Sequence, residues 1–162
     1  MEKTSADDSR ASVIANLRPD YFEDKEFVLS LVYDSFYLDR KISLVKIDVE
    51  GGELEVLTGM KESLLKHNPI VVCEVLDSHN ESVFDFTQNR ATQLSDFLKS
   101  INYSIVQLET SRTLNKIVSC KKIESIIIKQ WTPRSYDFND YLFYPGNKES
   151  EVFEKLNIIL QT

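Results

Sequence analysis

The stretch "LVKIDVEGGELEVLTGMKESLLKHNPIVVCEV", residues 44–75, contains two apolar runs separated by a helical pattern. The runs at 44–49 and 70–75 are short and rich in β-branched residues, which predicts two buried strands of a parallel sheet. Between them, Leu57, Met60 and Leu64 recur at helical spacing and predict a helix over 53–66, which Pro69 ends. The stretch therefore predicts a strand–helix–strand unit of an α/β fold.

The sequence that follows extends this unit. Apolar residues at 94, 97, 98 and 101 predict a second helix, residues 103–109 a third strand and residues 125–129 a fourth strand beyond a polar loop. An amphipathic helix from Glu149 closes the chain. No helical pattern separates the last two strands, so we expect an antiparallel pair at one edge of the sheet. Upstream, residues 27–38 fit either a helix or a strand, and their composition favours a strand.

Length and composition limit what the protein can be. A chain of 162 residues with 42% hydrophobic residues is sufficient for one domain, which we place at 27–162 after a polar leader or remnant at 1–26. A net charge of -7 excludes an affinity for nucleic acid. The start of the chain has no signal-peptide pattern and no membrane-spanning run, so we expect a cytoplasmic protein with no membrane partner.

Three acids are predicted to lie at one rim of the sheet. Asp48 is at the end of the first strand, Glu50 is two residues further on, and Glu74 is at the end of the next strand. The carboxyl ends of parallel strands form the ligand crevice of open α/β sheets. Carboxylates there can act as a general base, anchor a cationic cofactor centre or ligate a hard cation. The cysteines and histidines lack metal-ligand spacing, so we assign no metal site.

Other candidate residues have simpler explanations. Glu53 lies in the first turn of the predicted helix, where a negative charge is favourable because of the helix dipole. Five aromatic residues close to one another could hold an adenine or a sugar, but packing against the edge of the sheet explains them more simply. These are Tyr136, Phe138, Tyr141, Phe143 and Tyr144.

The motif order resembles the FkbM family of S-adenosylmethionine-dependent methyltransferases. In that family an "IDVEG" strand end is followed by Glu, a helix with an "L-x-G" step, a proline and a strand that ends in "vE". Here these elements are residues 47–51, Glu53, residues 57–59, Pro69 and Glu74. Looser similarities are "VYDSF" around Asp34, "LSDFLKSINYSIVQL" and "DYLFYP". Leu76 stands where the family often has His.

The resemblance implies a partial Rossmann-like methyltransferase sheet in a three-layer α/β/α arrangement, namely the carboxyl-terminal half of the domain. It implies transfer of a methyl group from S-adenosylmethionine to a hydroxyl oxygen of a sugar or another small acceptor. Asp48 would bind the donor and act in catalysis, with Glu50 and Glu74 on the acceptor side.

The same resemblance implies a glycine-rich donor loop and three further strands before residue 44, and none of the four glycines lies there. We therefore expect that a second chain or a second copy completes the sheet, or that this chain is inactive alone. The alternative is a non-catalytic half-domain that acts as an interaction subunit or is a degenerate relic.

Overall fold

A computed structural model describes Ile14, residues 29–36 and residues 39–161. The described residues form a mixed α/β structure around one five-stranded sheet. The strands are β1 (Leu44–Ile47), β2 (Ile70–Glu74), β3 (Tyr103–Ser111), β4 (Lys116–Ile123) and β5 (Asp140–Pro145). The α-helices are α1 (Glu53–Thr58), α2 (Lys61–His67), α3 (Phe84–Ser100) and α4 (Glu149–Leu160).

The strand order across the sheet is β1-β2-β5-β3-β4. β1 and β2 are parallel, as predicted, and Ile47 pairs with Cys73. β5 is antiparallel to both β2 and β3, so β3 points in the same direction as β2 without touching it. The alternating pattern of strands and helices predicted parallel strands, and β1, β2 and β3 do run in the same direction. β5, the last strand in the sequence, inserts between β2 and β3.

Helices cover both faces of the sheet. On one face, α1, α2 and α3 contribute Leu57, Leu64 and Leu98 to a core that includes Phe143 of β5. On the other face, α4 packs Val152 and Leu156 against β3 and β5. The alternation of side chains along each strand separates the two cores, since neighbouring residues point to opposite faces. The described residues therefore form three layers.

The single helix predicted over 53–66 is two helices. α1 ends at Thr58, and α2 begins at Lys61. The break coincides with contacts from the preceding segment: the Asp34 backbone N–H donates to the Gly59 carbonyl. The Asp34 carboxylate then accepts hydrogen bonds from the backbone N–H groups of Glu62 and Ser63, at 2.7 and 3.1 Å. An acid 28 residues upstream thus caps the N-terminus of α2.

The strand predicted at 125–129 was also wrong. Ile126 and Ile128 are buried and alternate as in a strand, but their backbone N–H groups donate to the side chains of Ser95 and Gln88 on α3. The fourth strand is instead β4, in the stretch expected to be a loop. Its lysines suit a strand at the edge of a sheet, where one face is open to water. The predicted antiparallel edge pair exists, but it consists of β3 and β4.

The upstream segment is not a strand where it is described. Residues 29–36 contain one 3₁₀ turn, Tyr33–Ser35, while residues 27, 28, 37 and 38 lie outside the described part of the chain. The predicted leader at 1–26 also lies outside it, apart from Ile14. Of the helices in the described residues, none is both long and apolar enough to cross a membrane.

Candidate functional site

Three acids meet where β1 and β2 end and β5 begins. Asp48 follows β1 directly, and Glu74 is the last residue of β2. Asp140 is the first residue of β5 and lies opposite Glu74 in the antiparallel register. Because β5 runs against β2, its first residue lies at the same edge of the sheet as the carboxyl ends of the parallel strands. We call Asp48, Glu50, Glu74 and Asp140 the acidic rim.

Asp48 is held by a lysine of its own strand. The Lys46 ammonium donates to Asp48 Oδ2 at 2.8 Å, and the two side chains are about half exposed. This hydrogen bond lowers the pKa of Asp48, and a further hydrogen bond with Glu74 acts in the same direction. Asp48 is therefore ionised at neutral pH, with one oxygen directed to a cation and a neighbouring carboxyl group as its second partner.

Glu74 has the most strongly shifted pKa of the rim. Burial is the largest cause, followed by the hydrogen bond with Asp48 and the negative charges of Asp48, Asp140 and Glu50; together they raise the pKa of Glu74 to about 7. Burial also raises the pKa of Asp140, against the opposing effect of Lys46 and Arg112. Glu74 is thus the group of the rim that exchanges a proton near neutral pH, and Asp48 is the acceptor of its hydrogen bond.

A tight turn places Glu50. The sequence predicted that Asp48 and Glu50 project from the same face of an extended chain. Instead Glu50 and Gly51 have positive φ angles of 50° and 100°, so the chain turns immediately after β1. Glycine is favoured at such an angle because it has no Cβ, which explains one member of the glycine pair. The turn keeps Glu50 close enough for its charge to raise the pKa of Glu74.

The turn is fixed from inside the protein. Glu53, at the start of α1, is only 5% exposed, and its Oε1 accepts from the Gly51 backbone N–H at 2.7 Å. Arg90 of α3 donates to the Gly51 carbonyl at 2.8 Å and also to the Glu55 carboxylate. Burial raises the pKa of Glu53. Its contacts make Glu53 a support of the turn, a role more specific than the favourable helix dipole expected from its position.

Behind the turn lies a small cavity. Gly51, Glu53, Leu76 and Arg90 are among its lining residues, and its volume is about 20 Å³. That is room for about one water molecule, not for a cofactor. The cavity behind the turn is therefore too small to be the ligand site.

The structure brings all three predicted site residues together, since the charges of Asp48 and Glu50 both act on the carboxyl group of Glu74. Sequence reasoning missed Lys46 and Asp140. Lys46 is two residues before Asp48 on one strand, which is the spacing at which side chains share a face. Asp140 had no comparable signal, because its position depends on the insertion of β5 beside β2.

The predicted aromatic group divides into two parts. Tyr141, Phe143 and Tyr144 are buried in the two cores, as the simpler explanation predicted. Tyr136 and Phe138 belong instead to the segment before β5, and Phe138 is two residues before Asp140 in the chain. Among the described residues, no group of three or more His, Cys, Asp or Glu side chains is arranged to hold a metal ion.

A comparison with protein-family models matches residues 20–138 to the methyltransferase FkbM domain. The match spans most of the chain and includes β1, β2 and the acidic rim as far as Glu74. The chain belongs to the FkbM methyltransferase family. Neither the curated proteins nor the solved structures contain a significant match.

Membership of the FkbM family confirms the resemblance seen in the sequence and indicates methyl transfer as the general activity. The mixed α/β sheet is consistent with an α/β methyltransferase fold. In this FkbM domain the "IDVEG" motif forms the end of β1 and the turn after it, and the acid of the later "CEV" run is Glu74. The motifs that identify the family therefore build most of the rim.

Proposed function

We propose that this protein transfers a methyl group from S-adenosylmethionine to a hydroxyl oxygen of a sugar or another small acceptor. The observation that carries the proposal is the position of Asp48 and Glu74 at the carboxyl ends of two paired parallel strands, where burial and neighbouring acids raise the pKa of Glu74 to about 7. Ligand crevices of open α/β sheets lie at such strand ends.

Glu74 is suited to be the general base. A catalytic base is most effective when its pKa is close to the working pH, because it is then partly ionised and still basic enough to take a proton. A carboxylate with an ordinary pKa of 4.5 would be a weaker base. Burial, the largest cause, raises the pKa of Glu74 to about 7 and so makes its carboxylate more basic. Glu74 accepts the proton of the acceptor hydroxyl, and Asp48 holds the resulting carboxyl proton in a hydrogen bond.

The charge of the rim fits a cationic donor. Three acids, Asp48, Glu74 and Asp140, act on the Lys46 ammonium. The charge of a fourth, Glu50, acts on Glu74. S-adenosylmethionine, when bound, supplies an electrophilic methyl group on a positively charged sulfur. Asp48 remains ionised at neutral pH and is half exposed, so it is the rim residue that would attract and orient that charge. Glu50 and Asp140 add to the negative potential around it.

The arrangement of strands supports a Rossmann-like sheet that continues beyond β1. Among the described residues β1 pairs with β2 alone, and Leu44 at its start is 63% exposed. An open strand edge favours pairing with another strand. We propose that a second chain or a second copy supplies that strand.

The same open edge favours the alternative function, a non-catalytic half-domain that binds another protein by strand pairing.

Calorimetric titration with S-adenosylmethionine tests the donor part of the proposal. We expect binding by the wild-type chain and about tenfold weaker binding by Asp48→Asn, which removes one rim charge at nearly the same volume. Asp96→Asn, at an exposed position of α3, is the matched control and should bind like the wild type. Equal affinity of Asp48→Asn and the control would remove Asp48 from the donor site. No binding at millimolar donor by a folded, homogeneous wild-type sample would favour the interaction subunit.

A further inference from the structure

Three connecting segments meet at the same edge of the sheet as the acidic rim. β3 points in the same direction as β2, so its carboxyl end and Arg112 just beyond it lie at the edge where β2 ends. The segment after β2 runs beside the segment before β5, since Ser78 exchanges backbone hydrogen bonds with Lys129 and Trp131.

Aromatic side chains line these segments. His79 stacks on Trp131 with ring centroids 4.8 Å apart, and Trp131 meets Tyr136 edge to face at 5.7 Å. Tyr136 is 37% exposed. The indole N–H of Trp131 is buried and has no hydrogen-bond acceptor among the described residues. Buried Trp N–H groups usually have a partner, so the hydrogen-bonding capacity of this cluster is incompletely satisfied.

Arg112 completes the cluster. Its guanidinium carbon lies 4.3 Å from the centroid of the Tyr136 ring, a stacked cation–π geometry. It makes no ion pair with any residue that the structure describes, although the chain has 26 acidic residues. Its charge acts on Asp140 of the acidic rim, so the guanidinium lies near the rim without being bonded to it. The Arg112 side chain is exposed, so its N–H groups are accessible to a ligand while the guanidinium contacts the ring.

We propose that Arg112, held against Tyr136, binds an anionic oxygen group on the methyl acceptor, and that the acceptor ring lies beside Trp131. The inference rests on the proposed function and narrows the acceptor to a sugar-like ring with a carboxylate or a phosphate. Arginine is the side chain best suited to this role, because its planar donors match both groups in a two-pronged hydrogen bond. An acidic rim repels anions, so an acceptor of this kind needs such a cation beside the rim.

The single tryptophan of the chain makes the inference directly testable, because all indole fluorescence comes from Trp131. The probes are methyl β-glucuronide, glucose 6-phosphate and methyl β-glucoside, titrated without donor up to about 10 mM. We expect at least one anionic probe to change the emission and to bind at least about tenfold more tightly than the neutral glucoside. The response to the carboxylate and phosphate probes identifies which anion is preferred.

Variants separate the role of Arg112 from general charge effects. Arg112→Met should weaken binding of the anionic probe about tenfold, Arg112→Lys by a smaller factor, and Arg134→Met, an exposed arginine of the same region, by less than about twofold. Circular dichroism and the melting temperature verify that each variant is folded. If Arg112→Met does not fold, the comparison of Arg112→Lys with the wild type still tests the role of Arg112.

Three results would each overturn the inference: no response to any probe, equal binding of the glucoside, or unchanged binding by folded Arg112 variants. The fluorescence titration contains no donor, so its outcome does not depend on methyl transfer. If the calorimetric titration shows no binding of S-adenosylmethionine, the fluorescence titration still tests the binding of the anionic probe.

Discussion

The raised pKa of Glu74 makes the stability of the protein depend on pH in a way that one substitution should remove. Below pH 4.5, the ordinary pKa of a glutamate, Glu74 is protonated in both the folded and the unfolded chain. Between that pH and about 7 the unfolded chain releases the proton while the folded chain retains it. Raising the pH through this window therefore favours unfolding, and the contribution of Glu74 to stability is lost by the time the pH exceeds its folded pKa.

The size of the effect follows from the two pKa values. At 1.36 kcal/mol for each pH unit, the difference between 4.5 and about 7 sets a ceiling of about 3 kcal/mol. Glu74 is only partly buried, and solvent screening reduces this to about 1–2 kcal/mol. Glu74→Gln has nearly the same shape and cannot ionise. We therefore expect the wild type to lose about 1–2 kcal/mol relative to this variant between pH 4 and pH 8.

Urea unfolding at pH 4, 5, 6, 7 and 8 measures this difference directly. Asp140 and Glu53 also have raised pKa values from burial, so the wild type and Glu74→Gln must be compared at each pH, which cancels their shared contribution. Glu154→Gln, an exposed position on α4, is the matched control and should run parallel to the wild type.

Asp48→Asn is a second test of the proposed cause of the raised pKa of Glu74. It removes the Asp48 charge that helps to keep Glu74 protonated, so the pH dependence attributed to Glu74 should shrink. A constant free-energy gap between the wild type and Glu74→Gln from pH 4 to pH 8 would refute the assignment of a raised pKa to Glu74. It would also remove the main reason to regard Glu74 as the base.

Two further predictions concern the scaffold. Asp34→Ala removes the cap of α2 and should lower the free energy of unfolding by about 1 kcal/mol; Asp39→Ala is a control acid, and equal unfolding midpoints of the two variants would contradict the capping role. Cys120 should react with a thiol reagent well before Cys73, because Cys73 is fully buried and burial raises its thiol pKa well above the ordinary value. Faster labelling of Cys73, read by mass spectrometry of the native protein, would show that the core opens locally.

The local elements of this fold were predictable where the hydrophobic pattern is strong. The β-branched runs around Ile47 and Cys73 formed strands, and their parallel pairing followed from the helical segment between them. The family motif also located Asp48, Glu50 and Glu74, and the motif alone indicates the FkbM family. These features depend on residues close together in the chain, so the sequence contains the information directly.

Other features depend on contacts between distant residues. Ile126 and Ile128 have the alternation of a strand, but side chains of α3 satisfy their backbone N–H groups, so no strand forms. β4 is a strand because it pairs with β3, although its own sequence is polar. The helix over 53–66 is divided where Asp34 reaches it from 28 residues upstream. Partners far away in the sequence decide the structure at Ile126, Ile128 and residues 53–66, whereas β4 depends on the neighbouring strand with which it forms a hairpin.

The same distinction holds for the rim. The amino-acid sequence alone determined that carboxylates follow β1 and end β2, because strand ends are visible as a change from apolar to acidic residues. Only the tertiary structure decided that β5 inserts beside β2, that Asp140 therefore faces Glu74, and that Arg112 stacks on Tyr136 close to them. A pKa depends on burial and on every nearby charge. For that reason the position of Glu74 was predictable from the sequence, whereas its raised pKa follows only from the tertiary structure.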